Sequence, residues 1–176
     1  MLSELWEIYE TALLALVIWR EARSEGELGM RAIACSIRNR VERPTWWGNS
    51  YASVISKKYQ YSSIGAPGDP QLIRYPDMND SAFAEALQIA DMMIGDEPVA
   101  NPVSGADSFF DDSIPAPDWA TPGCFVGQIG RIRFYNVDHD YEAPRIPKAA
   151  AQTATEPAKP EPGPSGGILD WFKFRW

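Results

Sequence analysis

The sequence predicts an α+β fold, in which a helical domain carries a small antiparallel β-sheet. Up to Pro98 the apolar residues recur with helical spacing, and after Pro98 an alternating, strand-type pattern replaces it. The chain has 176 residues, of which 45% are hydrophobic and seven are tryptophan. That length supports one domain with a sizeable core and is short for two.

Two long helices are predicted at the start of the chain. The first has Ser3 as its N-cap and runs to about Arg23, and its segment Ala12–Trp19 is apolar on every side, as is typical of a buried helix. The second spans about Glu27–Arg43, and Pro44 ends it. Its apolar stripe consists of Met30, Ile33, Ala34, Ile37 and Val41.

The middle of the chain alternates between short helices and loop. A short helix is predicted over Tyr51–Lys58, and Tyr59–Asp80 is predicted to be a long loop because Gly, Pro, Ser and Asp are frequent in it. A third long helix covers Ser81–Ile94. Its predicted apolar face consists of Phe83, Ala86, Leu87, Ala90, Met93 and Ile94.

The predicted sheet is formed by "DSFF" and "GCFVGQIGRIRFYNV", with the Pro-rich loop "DDSIPAPDWATPG" between them. In the second segment the residues alternate between two faces. Ile132, Phe134 and Asn136 lie on one face, and Arg131, Arg133 and Tyr135 lie on the other.

Composition divides the chain into three parts. Residues 1–143 form the domain, and residues 144–167 form a linker rich in Pro, Ala and Gly that cannot bury a core. Residues 168–176, "ILDWFKFRW", are aromatic and basic. We expect Ile168–Trp176 to dock on a membrane surface or a partner protein; the alternative is that this segment folds back onto the domain or remains free.

Charge and cysteine content exclude several classes of protein. The net charge is −8 and the pI is near 4.7, which argues against nucleic acid as the main partner. Cys35 and Cys124 are too few for a disulfide framework and fit no zinc pattern, so we expect no metal and no cofactor. We expect Cys35 to lie in the core. Whether the two cysteines form one disulfide bridge is left open by the sequence. We expect a monomer.

The sequence indicates no export signal. Glutamates rather than basic residues precede the apolar run Ala12–Trp19, and its eight residues are too few to cross a bilayer. We therefore expect synthesis in the cytoplasm.

The most unusual feature of the first helix is Glu21. Helical steps back from it reach Ile18, Val17 and Leu14, so this carboxylate continues an apolar line. Loss of hydration raises the pKa of a carboxyl group, and the negative charge of Glu25, one turn further on, is expected to raise it too. A carboxyl group that stays protonated near neutral pH can act as a general acid for glycosidic cleavage. The alternative is that Glu21 simply pairs with an arginine.

Four segments resemble the SleB/CwlJ-type cell wall hydrolases, known from spore cortex-lytic enzymes and some phage lysins. "WREARSEGELGMRAIACSIRNRV" contains the family's E-A-R-x-E, G and N-R-V positions. "YQYSSI" resembles the Q-F-S segment, "GADSFFDDSIPAPDWA" the A-x-x-F and W-A stretch, and "VGQIGRIRFY" the closing strand, with Arg131 near a frequent histidine position. His139 does not match that histidine, and we assign it no role.

The resemblance implies a lysozyme-like helical fold acting on peptidoglycan, with Glu21 as the catalytic acid. The implied reaction is lytic transglycosylation at the bond between N-acetylmuramic acid and N-acetylglucosamine. A muramidase is the variant if water replaces the internal 6-hydroxyl. The expected substrate-binding residues are Glu25, Gln60, Tyr61, Ser62, Trp119 and Tyr135, although core packing is an alternative for Tyr135.

The expected setting is a phage endolysin or virion-associated lysin that acts at the cell wall or periplasm after the host membrane has been permeabilised. The rival from another class is a catalytically silent module that binds peptidoglycan and docks through its C-terminal segment.

Overall fold

The computed structural model describes residues 2–77, 79–95 and 97–138. This part of the chain forms the α+β fold that the sequence predicts. It contains the helices α1 (Leu2–Ala22), α2 (Gly26–Glu42), α3 (Tyr51–Ile55), α4 (Ser62–Gly65) and α5 (Ser81–Ile94), and the strands β1 (Ser108–Asp111), β2 (Phe125–Ile129) and β3 (Ile132–Tyr135). Single 3-10 turns lie at Arg23–Glu25, Pro70–Ile73 and Pro122–Cys124.

Helix α1 is the central helix of the bundle and packs against α2 and α5. Its predicted buried segment is confirmed in part: Leu14, Val17 and Ile18 are fully buried, whereas Ala12 is exposed. The assignment of Ser3 as the N-cap is wrong, because the helix already includes Leu2 and Ser3 lies in its first turn.

Helix α2 returns along α1 after a tight connection. The 3-10 turn Arg23–Glu25 ends at Gly26, whose φ of +67° lies in the left-handed region that favours glycine. The predicted apolar stripe is confirmed, with Met30, Ile33 and Ile37 fully buried. Cys35 is also buried in the core, and both cysteines are free thiols.

The predicted long loop over Tyr59–Asp80 is in part wrong, because α4 and the turn Pro70–Ile73 lie within it. Arg20 of α1 fixes this segment through its guanidinium group. Its Nη1 donates to Ser63 O (2.7 Å), and its Nη2 donates to the carbonyl oxygens of Leu72 (3.3 Å) and Arg74 (3.0 Å). These turns depend on contacts with a distant helix, which local periodicity does not reveal.

Helices α3 and α5 begin at side-chain caps. Ser50 and Ser53 form a capping box at α3, which is shorter than predicted. Asp80 accepts from Phe83 N (3.0 Å) at α5, whose predicted span is confirmed. The predicted apolar face of α5 is wrong at one position, because Leu87 is 36% exposed and Ile89 is buried instead.

The sheet has the strand order β1-β3-β2, with both pairs antiparallel. Ile132 and Phe134 of β3 face the core, as the alternation predicts. Tyr135, on the other face of β3, is also buried, because three aromatic rings cover that face. Phe110, Trp119 and Phe125 lie 5.4–5.8 Å from the Tyr135 ring, between ring centroids.

Polar side chains of α2 join the helices to the sheet. Asn39 Nδ2 donates to Ala106 O (2.7 Å), and Arg43 Nη2 donates to Gly105 O (2.8 Å). Both acceptors lie just before β1. One edge of α2 therefore packs in the helical core while the other edge is bonded to the segment that enters the sheet.

The chain divides into two units, Met1–Ala143 and Pro144–Trp176. The second unit and His139 lie outside the described residues, so the predicted linker and docking segment stay predictions. Among the described helices, none combines the length and hydropathy that crossing a bilayer requires.

Candidate active site

A cleft of about 630 Å³ opens at the C-terminal end of α1. It is lined by Glu21, by the segment that leads into α4, and by β1 with the loop that follows it. The lining side chains include Glu21, Arg40, Gln60, Tyr61, Asp111 and Trp119.

Glu21 is the half-buried carboxyl group of this cleft. It occupies the next-to-last position of α1, one helical turn beyond the buried Val17 and Ile18. Ser63 Oγ donates a short hydrogen bond to Glu21 Oε1. One side of the carboxyl group is thus held by α4, and the residue reaches the cleft.

The surroundings of Glu21 raise its pKa above the ordinary value. Burial is the largest cause, because it disfavours the ionised form, and the nearby charge of Asp69 acts in the same direction. The hydrogen bond from Ser63 and the positive charge of Arg20 lower the pKa and do not outweigh burial. The sequence anticipates the burial, whereas the acidic neighbour that contributes is Asp69 and not the expected Glu25.

The predicted residues Gln60, Tyr61 and Ser62 all line the cleft. Ser62 is exposed, and Gln60 is half-buried. Tyr61 is 4% exposed, and its hydroxyl accepts a hydrogen bond from Arg40 Nη1 (3.2 Å). Of the three, Ser62 and Gln60 therefore have the better access to a ligand.

Trp119 also lines the cleft, from the Pro-rich loop that the sequence singles out. Its ring is half-buried and packs edge-on against Phe110 (6.0 Å) and Tyr135 (5.6 Å). Tyr135 is 3% exposed and is not among the residues that line the cleft. It supports Trp119 from behind, which agrees with the core alternative considered for it.

Glu25 does not line the cleft either. Its Oε2 accepts a hydrogen bond from Arg131 N (3.0 Å) in the turn between β2 and β3. Two glycines permit this approach: a Cβ at Gly130 would lie 1.7 Å from Glu25 Oε2, and one at Gly29 would lie 2.3 Å from Glu25 Cβ. Glu25 joins the end of α1 to the β-hairpin.

Sequence reasoning missed three residues of the site. Ser63 bonds Glu21, whereas its neighbour Ser62 was the expected residue; only the course of the α4 turn distinguishes the two. Arg40 belongs to the recognised N-R-V segment but was given no role. Trp46 is 45% exposed and lines the cleft, whereas its neighbour Trp47 is buried.

The cleft also contains the carboxylate Asp111 of β1. Partial burial raises its pKa, but hydrogen bonds from Ser113 and Arg131 outweigh that effect, so the pKa lies below its ordinary value. Arg131 Nη2 lies 2.9 Å from Asp111 Oδ1. The cleft thus contains one carboxyl group with a raised pKa, Glu21, and one with a lowered pKa, Asp111.

The described residues contain no group of three His, Cys, Asp or Glu side chains placed to hold a metal ion. What this arrangement can do is proton transfer: a carboxyl group with a raised pKa, open to a cleft, can donate a proton to a bound ligand and take one back.

Comparison with known proteins identifies the family of the chain. Residues 24–135 match the model of a family described as Cell Wall Hydrolase, and Glu21 lies just before the matched range. No curated protein matches the chain.

Two solved structures share the fold. The catalytic domain of the germination-specific lytic transglycosylase SleB from Bacillus anthracis has a TM-score of 0.55 and 21% identity, covering 72% of this chain and 93% of that one. The catalytic domain of the Bacillus cereus SleB protein has a TM-score of 0.54 and 23% identity, covering 72% and 88%. The expected lysozyme-like fold is thereby confirmed.

Proposed function

Because the chain belongs to the cell wall hydrolase family, we propose that it cleaves the glycan strands of peptidoglycan by lytic transglycosylation, with Glu21 as general acid and base. The proposed bond is the one between N-acetylmuramic acid and N-acetylglucosamine. The observation that carries the proposal is the burial of Glu21, with a raised pKa, at a cleft of about 630 Å³. That volume lies in the range of ligand-binding clefts.

In the first half of the reaction, Glu21 donates its proton to the glycosidic oxygen as the bond from that oxygen to C1 of muramic acid breaks. The proton neutralises the departing oxygen, and positive charge develops at C1 and the ring oxygen. Burial favours this step, because it keeps Glu21 protonated at a pH at which an exposed glutamate is ionised.

In the second half, the 6-hydroxyl of the same muramic acid attacks C1, and Glu21 accepts the hydroxyl proton. The C1–O6 bond closes a 1,6-anhydro ring, and Glu21 returns to its protonated form. The hydrogen bond from Ser63 stabilises the ionised carboxylate between the two halves. Because the nucleophile is part of the substrate, the reaction requires no second carboxylate as nucleophile.

The remaining cleft residues fit the binding of sugar rings. Sugar rings present apolar faces that stack on aromatic side chains, and Trp46 and Trp119 are both at least partly exposed in the cleft. Gln60 and Ser62 present an amide and a hydroxyl group that can hydrogen-bond N-acetyl groups.

The test is mass spectrometry of the soluble products released from purified peptidoglycan. We expect the wild type to release 1,6-anhydro-muropeptides and Glu21→Gln to release about 1,000-fold less or none, since the amide cannot donate the proton. Glu27→Gln is the matched control, because Glu27 pairs with Arg31 on the surface of α2, outside the cleft.

Each other outcome has a definite meaning. Products with reducing ends would identify a muramidase at the same site. Equal activity of wild type and Glu21→Gln would remove Glu21 from the mechanism. A folded wild type that sediments with peptidoglycan and releases nothing would favour the silent binding module.

We propose the setting of a phage endolysin or virion-associated lysin, because peptidoglycan lies beyond the inner membrane and a lysin reaches it once that membrane is permeabilised. Bacteria that express the chain are expected to lyse when chloroform permeabilises the membrane, and Glu21→Gln expression is expected to leave them turbid. Lysis of untreated cells at the same rate would contradict this setting.

A further inference from the structure

Arg40 is a buried guanidinium group beside the proposed catalytic acid. It lies on α2, is 7% exposed and lines the same cleft as Glu21. Its Nε donates to Asp107 O, and its Nη1 donates to Gln60 Oε1 and to Tyr61 Oη (3.2 Å). The guanidinium carbon also lies 5.4 Å from the centre of the Trp47 ring.

All of these partners are neutral. Among the described residues, no carboxylate oxygen lies within 4.0 Å of the Arg40 guanidinium group, whereas Arg31, Arg38, Arg43 and Arg131 each have a carboxylate oxygen within that distance. Asp111 pairs with Arg131, and the buried Asp107 carboxylate accepts from Val137 N and Asp138 N. Asp138 also lines the cleft, but it too lies beyond ion-pair distance of Arg40.

A buried positive charge without a counter-charge is costly, since neutral hydrogen bonds replace only part of its hydration. One donor of Arg40 remains available. Its Nη2 donates to none of the described residues and is not among the fully enclosed unpaired atoms, so it is an accessible donor on a residue that lines the cleft.

Arg40 and Glu21 line the same cleft. Tyr61 contacts Arg40 and Ser63 contacts Glu21, and these two residues are separated by only one residue along the chain. Burial raises the pKa of the Tyr61 hydroxyl, and the charges of Arg40 and Glu21 act on it as well, the first lowering it and the second raising it. A ligand bound in the cleft can therefore meet both groups.

We propose that Arg40 Nη2 binds a carboxylate carried by the muramic acid residue next to the bond that Glu21 cleaves. This inference rests on the proposed function. Muramic acid carries a lactyl group, which ends in a free carboxylate on strands without peptide stems; on intact strands it is joined to a stem that bears its own carboxylates. Both sources present the same chemistry to Arg40, and a guanidinium N–H forms a charge-assisted hydrogen bond with a carboxylate.

The test measures binding with Glu21→Gln, so that the strands stay intact during titration calorimetry. Four soluble strand preparations are compared: stem-free strands, the same strands with lactyl carboxylates converted to methylamides, stem-bearing strands, and the same strands with stem carboxylates amidated. We expect one neutralised preparation to bind about tenfold more weakly than its charged parent. If neutralisation weakens binding only for the stem-free strands, the lactyl carboxylate is the ligand. If it weakens binding only for the stem-bearing strands, a stem carboxylate is the ligand.

Variants of Arg40 extend the comparison. In the Glu21→Gln background, Arg40→Gln is expected to abolish the difference between charged and neutral strands, and Arg40→Lys to retain part of it. Arg31→Gln is the matched control, because Arg31 lies on the same helix and pairs with Glu27 outside the cleft. Circular dichroism checks that the Arg40 variants fold. The comparison of the four strand preparations uses Glu21→Gln alone and does not require any Arg40 variant.

Equal Kd values for charged and neutral strands in both pairs would overturn the inference, as would an unchanged difference in folded Arg40→Gln. Turnover is measured separately with the wild type. If no preparation is cleaved, the proposed function fails, whereas a charge-dependent Kd that requires Arg40 still supports the carboxylate site.

Discussion

At the residue scale, two neighbours of Glu21 act on its pKa in opposite directions. Ser63 donates a hydrogen bond that favours the ionised form, and Asp69 contributes a like charge that disfavours it. Neither residue can be recognised from the apolar line that points to Glu21. Ser63 is one of two adjacent serines, and Asp69 lies in a segment whose sequence predicts only loop.

The pH profile of kcat/KM separates these two effects. Because the hydrogen bond lowers the pKa, Ser63→Ala is expected to raise it and move the basic limb to higher pH, with a loss of about tenfold in kcat as the ionised form loses a donor. Because the Asp69 charge raises the pKa, Asp69→Asn is expected to move the basic limb to lower pH.

Asn can keep the Asp69 Oδ1 acceptor for Gln71 N (2.8 Å), so the local turn is retained. Asp77→Asn is the matched control, since Asp77 accepts from Asn79 N in the same segment and lies outside the cleft. If Ser63→Ala and Asp69→Asn moved the basic limb in the same direction, the opposite effects assigned to these two residues would be contradicted.

At the scale of elements, the contact between the end of α1 and the β-hairpin fixes one side of the site. Glu25 accepts from Arg131 N, and Gly130, at the tip of the hairpin, has a φ of +56°. The sequence places Glu25 on the same side as Glu21 and therefore suggests a binding role. Its bond to a segment 106 residues away could not be predicted, because nothing local encodes it.

Gly130→Ala tests this contact. A left-handed φ costs a non-glycine residue about 1 kcal/mol, and the new Cβ would lie 1.7 Å from Glu25 Oε2, so the carboxylate must leave its bond to Arg131. We expect the free energy of unfolding in urea to fall by about 2 kcal/mol. Gly123→Ala is the control: its Cβ meets nothing within 4 Å, and a change below about 0.5 kcal/mol is expected. Equal losses of stability in Gly130→Ala and Gly123→Ala would disprove the stabilising role of the contact between Glu25 and Arg131.

At the scale of the whole molecule, the sequence predicts the α+β class and the long helices because burial of an apolar stripe sets their period. The Met30–Ile33–Ile37 stripe of α2 is an example. The predicted stripe does not include Asn39 or Arg40. In the folded chain both are buried, because the sheet covers the second edge of α2 and their side chains bond the segment before β1. Amphipathic patterning identifies the apolar buried face of a helix, but it does not identify a second buried face that is polar.

The bond between Glu25 and Arg131 also has a consequence for the time at which the site is complete. A nascent chain can bring Glu21 and Ser63 together once α4 has left the ribosome, but Arg131 has then not been synthesised. At roughly 10 residues per second, several seconds separate the two events. During synthesis the part of the site that carries Glu21 and Ser63 can therefore form before Arg131 is available to bond Glu25.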